Sequence, residues 1–157
     1  MSRLSSRPHA TLLKFGYPDT VVAEYEHWAV LLRPSQVTLG SLVLVCTEPA
    51  TAFPDISAGA FAELKRVTNE LEAVLASAFS FDRVNYLMLR MVDPHVHFHV
   101  LPRYETKRRF AGVEFEDRAW PRPPDLTSGT TLSDDTKNAL LADLRERFRK
   151  TGVKGSK

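Results

Sequence analysis

The sequence predicts an α+β fold: an antiparallel sheet of about five strands, one long helix packed on it and a C-terminal helix. Three observations carry the prediction. Residues His95 to Leu101 alternate histidine with Val96, Phe98 and Val100 at a strict period of two. That period sends side chains to opposite faces of a strand, imidazoles on one and an apolar wall on the other. Phe61, Leu64, Val67 or Thr68, Leu71, Val74 or Leu75, and Phe79 recur at three- and four-residue steps, the stripe of a helix lying on a core. Finally, Ser133 precedes Asp134 and Asp135, while Arg145, Arg147, Arg149 and Lys150 follow, a charge order that suits a capped helix and its dipole.

Composition narrows the class. A chain of 157 residues, 43% hydrophobic and 25% charged, suits one domain over residues 1–157 with a real core. Its parts divide into a core at about 11–104, a loop-rich segment at 105–132 and a C-terminal helix at 133–151. A net charge of +2 is no nucleic-acid footprint, so no specific nucleic acid is expected as a partner. The single cysteine, Cys46, excludes an intrachain disulfide and sits in an apolar run, where a buried inert thiol is expected. No apolar run is long enough to span a membrane. Met1 to His9 lacks the apolar block of a signal peptide and reads as a loose arm on a cytoplasmic protein.

In chain order, residues 11–47 read as β-structure. Thr11 to Phe15 is short and apolar, and Gly16-Tyr17-Pro18-Asp19 is a turn. Val21 to Tyr25 and Trp28 to Arg33 are strand-like, with Glu26 and His27 at the bend and His27 a turn residue rather than a ligand. Pro34 to Gly40 is a loop. Ser41 to Cys46 is a nearly continuous apolar strand of the kind covered on both faces. Ser57 caps the long helix, and Arg83 to Arg90 gives a further strand before the histidines. Arg103 to Phe110 is a basic cluster, equally suited to a solvated loop and to substrate contact. Ala111 to Thr131 is too rich in proline for regular structure, yet Phe115, Trp120 and Leu126 suggest that it packs. Leu140, Leu141, Leu144 and Phe148 form the stripe of the last helix, which Gly152 can end, leaving a frayed basic tail.

Three imidazoles in register admit a solvated face, a metal site built on His-x-His, or nucleophilic catalysis with neighbours supporting a phosphate. A metal site needs a further ligand, and the sequence offers no obvious cluster for one.

The run His95-Val96-His97-Phe98-His99-Val100-Leu101 resembles the defining motif of the histidine triad (HIT) superfamily, and Pro102-Arg103 resembles its continuation in the nucleotide-hydrolase branches. The resemblance covers roughly residues 20–104. It implies a HIT-like fold, a homodimer and a small-molecule nucleotide substrate, such as a dinucleoside polyphosphate (diadenosine tetraphosphate) or a nucleoside phosphoramidate. It implies that His97 attacks the α-phosphate to form a nucleotidyl-histidine that water releases. The His95 carbonyl would hold one ring nitrogen of His97 protonated, His99 would contact a phosphate oxygen, and His95 would help hold the loop and ring positions. No cofactor is required of the protein, and Mg²⁺ would arrive on a polyphosphate substrate. Phosphate in place of water as acceptor is a close variant. A nucleotide-binding regulator with little turnover and a metal-dependent hydrolase are the alternatives.

The chain departs from the pattern at three places. Ser41 follows Gly40 where many members carry a fourth histidine. Arg33 stands where the family has an Asp or Asn for the ribose, and would suit an extra phosphate. Arg90-Met91-Val92-Asp93 replaces a Gly-Gln-Ser/Thr-like loop, with Arg90 a source of positive charge. Arg33, Ser41, Arg90 and Arg103 are therefore the expected substrate-binding residues beside the three histidines.

Overall fold

The computed structural model describes residues 7–155, with side chains through 152. Five strands form the main sheet: β1 (Val21–Glu24), β2 (Trp28–Leu32), β4 (Leu42–Cys46), β5 (Arg83–Leu87) and β6 (His97–Arg103). Their spatial order is β1-β2-β4-β6-β5, and every neighbouring pair is antiparallel. Among the described residues three α-helices accompany them, α1 (Ala10–Lys14), α2 (Ala58–Phe79) and α3 (Asp134–Gly155), with a short 3-10 helix at Phe53–Asp55. The fold is α+β.

The central strands β2 and β4 are buried at every position, as a sheet covered on both faces requires. On one face Val30, Leu32, Leu44 and Val100 pack against Val67, Leu71 and Val74 of α2. The Trp28 indole donates to the carbonyl of Ala60 at 2.8 Å, so its one polar atom is satisfied inside the core. α3 packs on α2 and β1, burying Leu140, Leu141, Leu144 and Phe148. Ser57 and Ser133 cap their helices as expected, accepting from the backbone N–H of Ala60 at 3.1 Å and Thr136 at 3.2 Å.

On the opposite face, Ala29, Leu31, Val43 and Val45 meet Leu12, Phe15 and Tyr17. This layer corrects the expected strand at Thr11 to Phe15, which is the helix α1 and the turn that closes it. Alternation would have buried Leu13, but Leu13 is 55% exposed while Thr11 and Leu12 are buried. His9 caps α1, accepting from the Leu12 N–H, and Gly16 N–H closes it on the Leu13 carbonyl at 3.0 Å. The end of the expected loose arm is thus packed; its first six residues, like the last two of the chain, lie outside the described residues.

Other boundaries shift. β6 begins at His97, so His95 lies in the bend before the strand, although Val96 still bonds across to Cys46. β5 stops at Leu87, and Arg90 has a positive φ of 50° that no strand continues through. α3 runs past Gly152 to Gly155. The loop-rich segment contains a small hairpin, β7 (Arg108–Phe110) with β8 (Val113–Phe115), and β9 (Thr130–Thr131) pairs with β3 (Ser35–Gln36) inside the expected 34–40 loop. Gly40 turns the chain into β4 at φ 85°, where a Cβ would lie 2.7 Å from the Phe79 ring. Among the described residues no helix is long and apolar enough to cross a membrane.

Candidate active site

β6 carries His97 and His99 on the face opposite α2, level with Val45 and Val43 of β4. Both are buried, at 2% and 8% exposure, with ring centroids 5.2 Å apart and nearly perpendicular. Phe15 from the α1 turn stands 5.8 Å from His97 and 5.9 Å from His99. The α1 layer is too small to cover this end of the sheet. It leaves a cleft of about 270 Å³ lined by Lys14, Phe15, Arg33, Arg90, His97 and His99, among others.

The histidines are linked in sequence by the backbone. The Nδ1 of His97 lies 2.6 Å from the carbonyl oxygen of His95. A carbonyl only accepts, so this nitrogen carries the ring proton and Nε2 keeps its lone pair. His95 in turn is held from α1. Its backbone N–H approaches Thr11 Oγ1 at 3.4 Å, and the same hydroxyl lies 2.9 Å from its Nδ1. With the hydroxyl donating to Nδ1, the His95 proton stands on Nε2.

His9 completes the group. Its ring stacks on His95 with centroids 3.9 Å apart and planes 6° from parallel. Its Nδ1 accepts from Leu12 N–H at 3.3 Å and its Nε2 donates to the Cys46 carbonyl at 2.8 Å, so both nitrogens of a neutral ring are used. Sequence reasoning missed His9, Thr11 and Phe15. The signal was present in the cap pattern His9-Ala10-Thr11-Leu12, but their approach to the triad depends on a contact between segments 84 residues apart.

The surroundings of three of these rings, His99, His95 and His9, disfavour their protonated forms. Burial pushes His99 down to about 4, with the neighbouring His97 and Arg33 adding to the shift. Burial lowers His95 and His9 as well. Lys14 pairs with Asp93 at 2.9 Å, so the one carboxylate lining the cleft is already engaged while Arg33 and Arg90 add positive charge. The cleft suits an anion, with a lone-pair nitrogen at its floor.

Of the four other expected substrate contacts, the structure brings two to the cleft. Arg33 lines it from the end of β2. Arg90 lines it too, and its guanidinium donates to the Thr51 carbonyl. Ser41 is fully buried, and its hydroxyl is spent on the turn, donating to Thr38 O at 2.7 Å and accepting from Thr38 N–H at 3.0 Å. Arg103 is 4% exposed and clamped on Asp117 at 2.6 and 3.1 Å, with Asn85 at 2.7 Å. Neither lines the cleft. The fold itself consumes the hydrogen-bonding groups that substrate would need.

Among the described residues, no three His, Cys, Asp or Glu side chains converge to hold a metal ion. No curated protein matches the chain. Among solved structures, a histidine triad protein from Bradyrhizobium japonicum is 21% identical, with a TM-score of 0.69 over 90% of this chain and 97% of that one. A histidine triad protein from Sinorhizobium meliloti is 18% identical, with a TM-score of 0.71 over 91% of this chain and 97% of that one. A zinc-bound histidine triad family protein from Mycobacterium smegmatis is 16% identical, with a TM-score of 0.55 over 87% of this chain and 91% of that one. These likenesses concern the fold. The HIT domain family matches residues 14–106, well over half of the sequence, and the chain therefore belongs to that family.

Proposed function

We propose that the protein is a nucleotide hydrolase or transferase in which His97 attacks a nucleotide α-phosphate. Membership of the HIT family supports the coarser class, a nucleotide-binding hydrolase or transferase. The observation that carries the finer reading is the 2.6 Å contact from His97 Nδ1 to the His95 carbonyl, because it frees Nε2 as a nucleophile.

In this reading Nε2 forms a bond to phosphorus while the bond from phosphorus to the leaving group breaks. The leaving group departs with the electron pair, and the proton stays on Nδ1, held by its hydrogen bond to the His95 carbonyl. Water then attacks the nucleotidyl-histidine from the opposite side; the phosphorus–Nε2 bond breaks, the lone pair returns to Nε2 and the water's proton passes to solvent. His99 contacts a phosphate oxygen, Arg90 supplies positive charge, and His95 fixes the carbonyl. The substrates proposed are dinucleoside polyphosphates such as diadenosine tetraphosphate, or nucleoside phosphoramidates, and the working form is a cytoplasmic homodimer. No metal held by the protein takes part; Mg²⁺ enters on the polyphosphate.

The test is turnover of diadenosine tri- and tetraphosphate and adenosine phosphoramidate by wild type and His97→Ala, with and without chelator. Mononucleotide release by wild type alone, recovering with Mg²⁺ alone after chelation, is expected. Nucleotide binding without turnover on any substrate overturns the reading, as does activity that returns only with zinc.

A further inference from the structure

We propose that Arg33 forms a second phosphate subsite, which takes a phosphate carried on the sugar of the substrate in addition to the phosphorus attacked by His97. The proposal rests on the nucleotidyl-transfer reading and names its substrate class more closely: a nucleotide bearing a 2′- or 3′-phosphate as well as its 5′-phosphate.

Arg33 follows β2 by one residue and continues the face of Ala29 and Leu31, the face on which the histidines stand. Its backbone N–H donates to the Ser41 carbonyl at 3.0 Å, which carries the register one step past the strand. Leu31 is level with Val43 and Val43 with His99, so Arg33 sits just beyond His99 along the sheet. Two strand spacings, roughly 10 Å, separate β2 from β6. A group bound at Arg33 is therefore displaced from the phosphorus at His97 and lies across the cleft from it.

The fold holds this guanidinium by backbone carbonyls, those of Ser35 at 2.6 Å and Leu126 at 3.2 Å. Carbonyls fix its position and leave its charge uncompensated. Among the described residues it makes no ion pair, Asp93 being engaged by Lys14. Arg103 shows the contrast. Equally tied to the sheet, it receives the bidentate carboxylate of Asp117. The fold thus supplies a counter-charge for Arg103 and not for Arg33, which lines the cleft.

Two buried side-chain nitrogens among the described residues lack a partner, and they belong to Arg33 (Nε) and His99 (Nδ1), neighbours on this cleft. Burial pushes Arg33 below its ordinary value, the cost of a partly desolvated cation with nothing opposite it. A sugar hydroxyl would leave that cost in place. A phosphate offsets it, because a tetrahedral dianion matches both the charge and the fork of a guanidinium.

The experiment compares binding of adenosine 5′-monophosphate with the 2′,5′- and 3′,5′-bisphosphates by calorimetry. Wild type, Arg33→Gln and Arg33→Lys are used, beside turnover of the matching 5′-phosphoramidates. Wild type is expected to bind one bisphosphate at least tenfold more tightly than the monophosphate. In Arg33→Gln the ratio falls to about one, and Arg33→Lys, which keeps the charge but not the fork, lies between. Equal binding of all three ligands by wild type overturns the subsite, and that arm needs no variant to fold. A preference that survives Arg33→Gln overturns it too. So does added orthophosphate raising turnover of the monophosphate substrate without any bisphosphate preference, which assigns the cation to a free anion. Turnover without preference removes the subsite alone. Preference without turnover on any phosphoramidate removes the nucleotidyl-transfer reading and keeps the subsite.

Discussion

His9 and His95 lie face to face, 3.9 Å apart and 6° from parallel, although 86 positions separate them in the chain. The contact joins the N-terminal helix to the bend whose carbonyl accepts from His97. Removing the ring should loosen that bend, since among the described residues no other ring stacks on His95. His9→Ala is expected to cost about 1–2 kcal/mol of stability, from the lost cap and the lost stack. It should also lower kcat about tenfold, about 1.4 kcal/mol of barrier. His9→Asn separates the two effects, because asparagine caps a helix but cannot cover a ring. Denaturant unfolding should show most of the stability recovered and the rate not. Full kcat in His9→Asn would deny the stack any part in the chemistry.

Thr11 offers a narrower change. Thr11 is 1% exposed, and its hydroxyl meets Nδ1 of His95 at 2.9 Å. Thr11→Val keeps the shape and leaves Nδ1 without its partner, a loss of about 1 kcal/mol for a half-buried hydrogen bond. The ring can then take either tautomer. The expected result is a pH–rate profile altered in shape, with the substrate KM much less affected. An unaltered profile would reduce Thr11 to a packing residue.

Much of this was legible in the sequence because it rests on local pattern. The period of two from 95 to 101, the stripe from Phe61 to Phe79 and the caps at Ser57 and Ser133 each depend on residues within one element. Those features placed the central strands, α2, the start of α3 and the two buried histidines. What pattern could not give is which polar group the fold claims for itself. Arg33 and Arg103 both follow apolar strand residues and look alike in sequence, yet Asp117, from a loop 14 residues on, neutralises only the second. Ser41 is claimed by the fold in the same way, since its hydroxyl closes a turn with Thr38. The helix at Ala10–Lys14 was hidden by its length, as five residues are too few to distinguish a period of two from one of 3.6.

The Arg103–Asp117 pair makes a prediction that separates fold from site. Their side chains are 4% and 2% exposed, so removing one partner strands a charge in the interior. Arg103→Met is expected to destabilise the protein by about 3–5 kcal/mol. Arg103→Met combined with Asp117→Leu should restore most of that, because the buried charge is gone. Turnover per folded molecule should stay within a few-fold of wild type in the double variant, since neither residue lines the histidine cleft. A fall in turnover of a hundredfold or more with stability restored would return Arg103 to the substrate site.

Acid should act on this protein chiefly through its neutral histidines. His99 is held at about 4 in the folded chain, first by burial and then by His97 and Arg33, against about 6.5 when unfolded. His9 and His95 are displaced the same way, mainly by burial. A depressed histidine means that below pH 6.5 the unfolded chain binds protons that the native chain refuses. Stability is then full above pH 6.5 and falls as the pH drops towards about 4. For His99 alone the loss amounts to something on the order of 3 kcal/mol. His99→Asn removes its share. Urea midpoints measured at pH 7.5, 6 and 5 should therefore fall more steeply for wild type than for His99→Asn, even if the variant starts lower. Parallel slopes would mean that His99 takes up its proton in the folded protein as readily as in the unfolded one, and that the cleft is wetter than its 8% exposure implies.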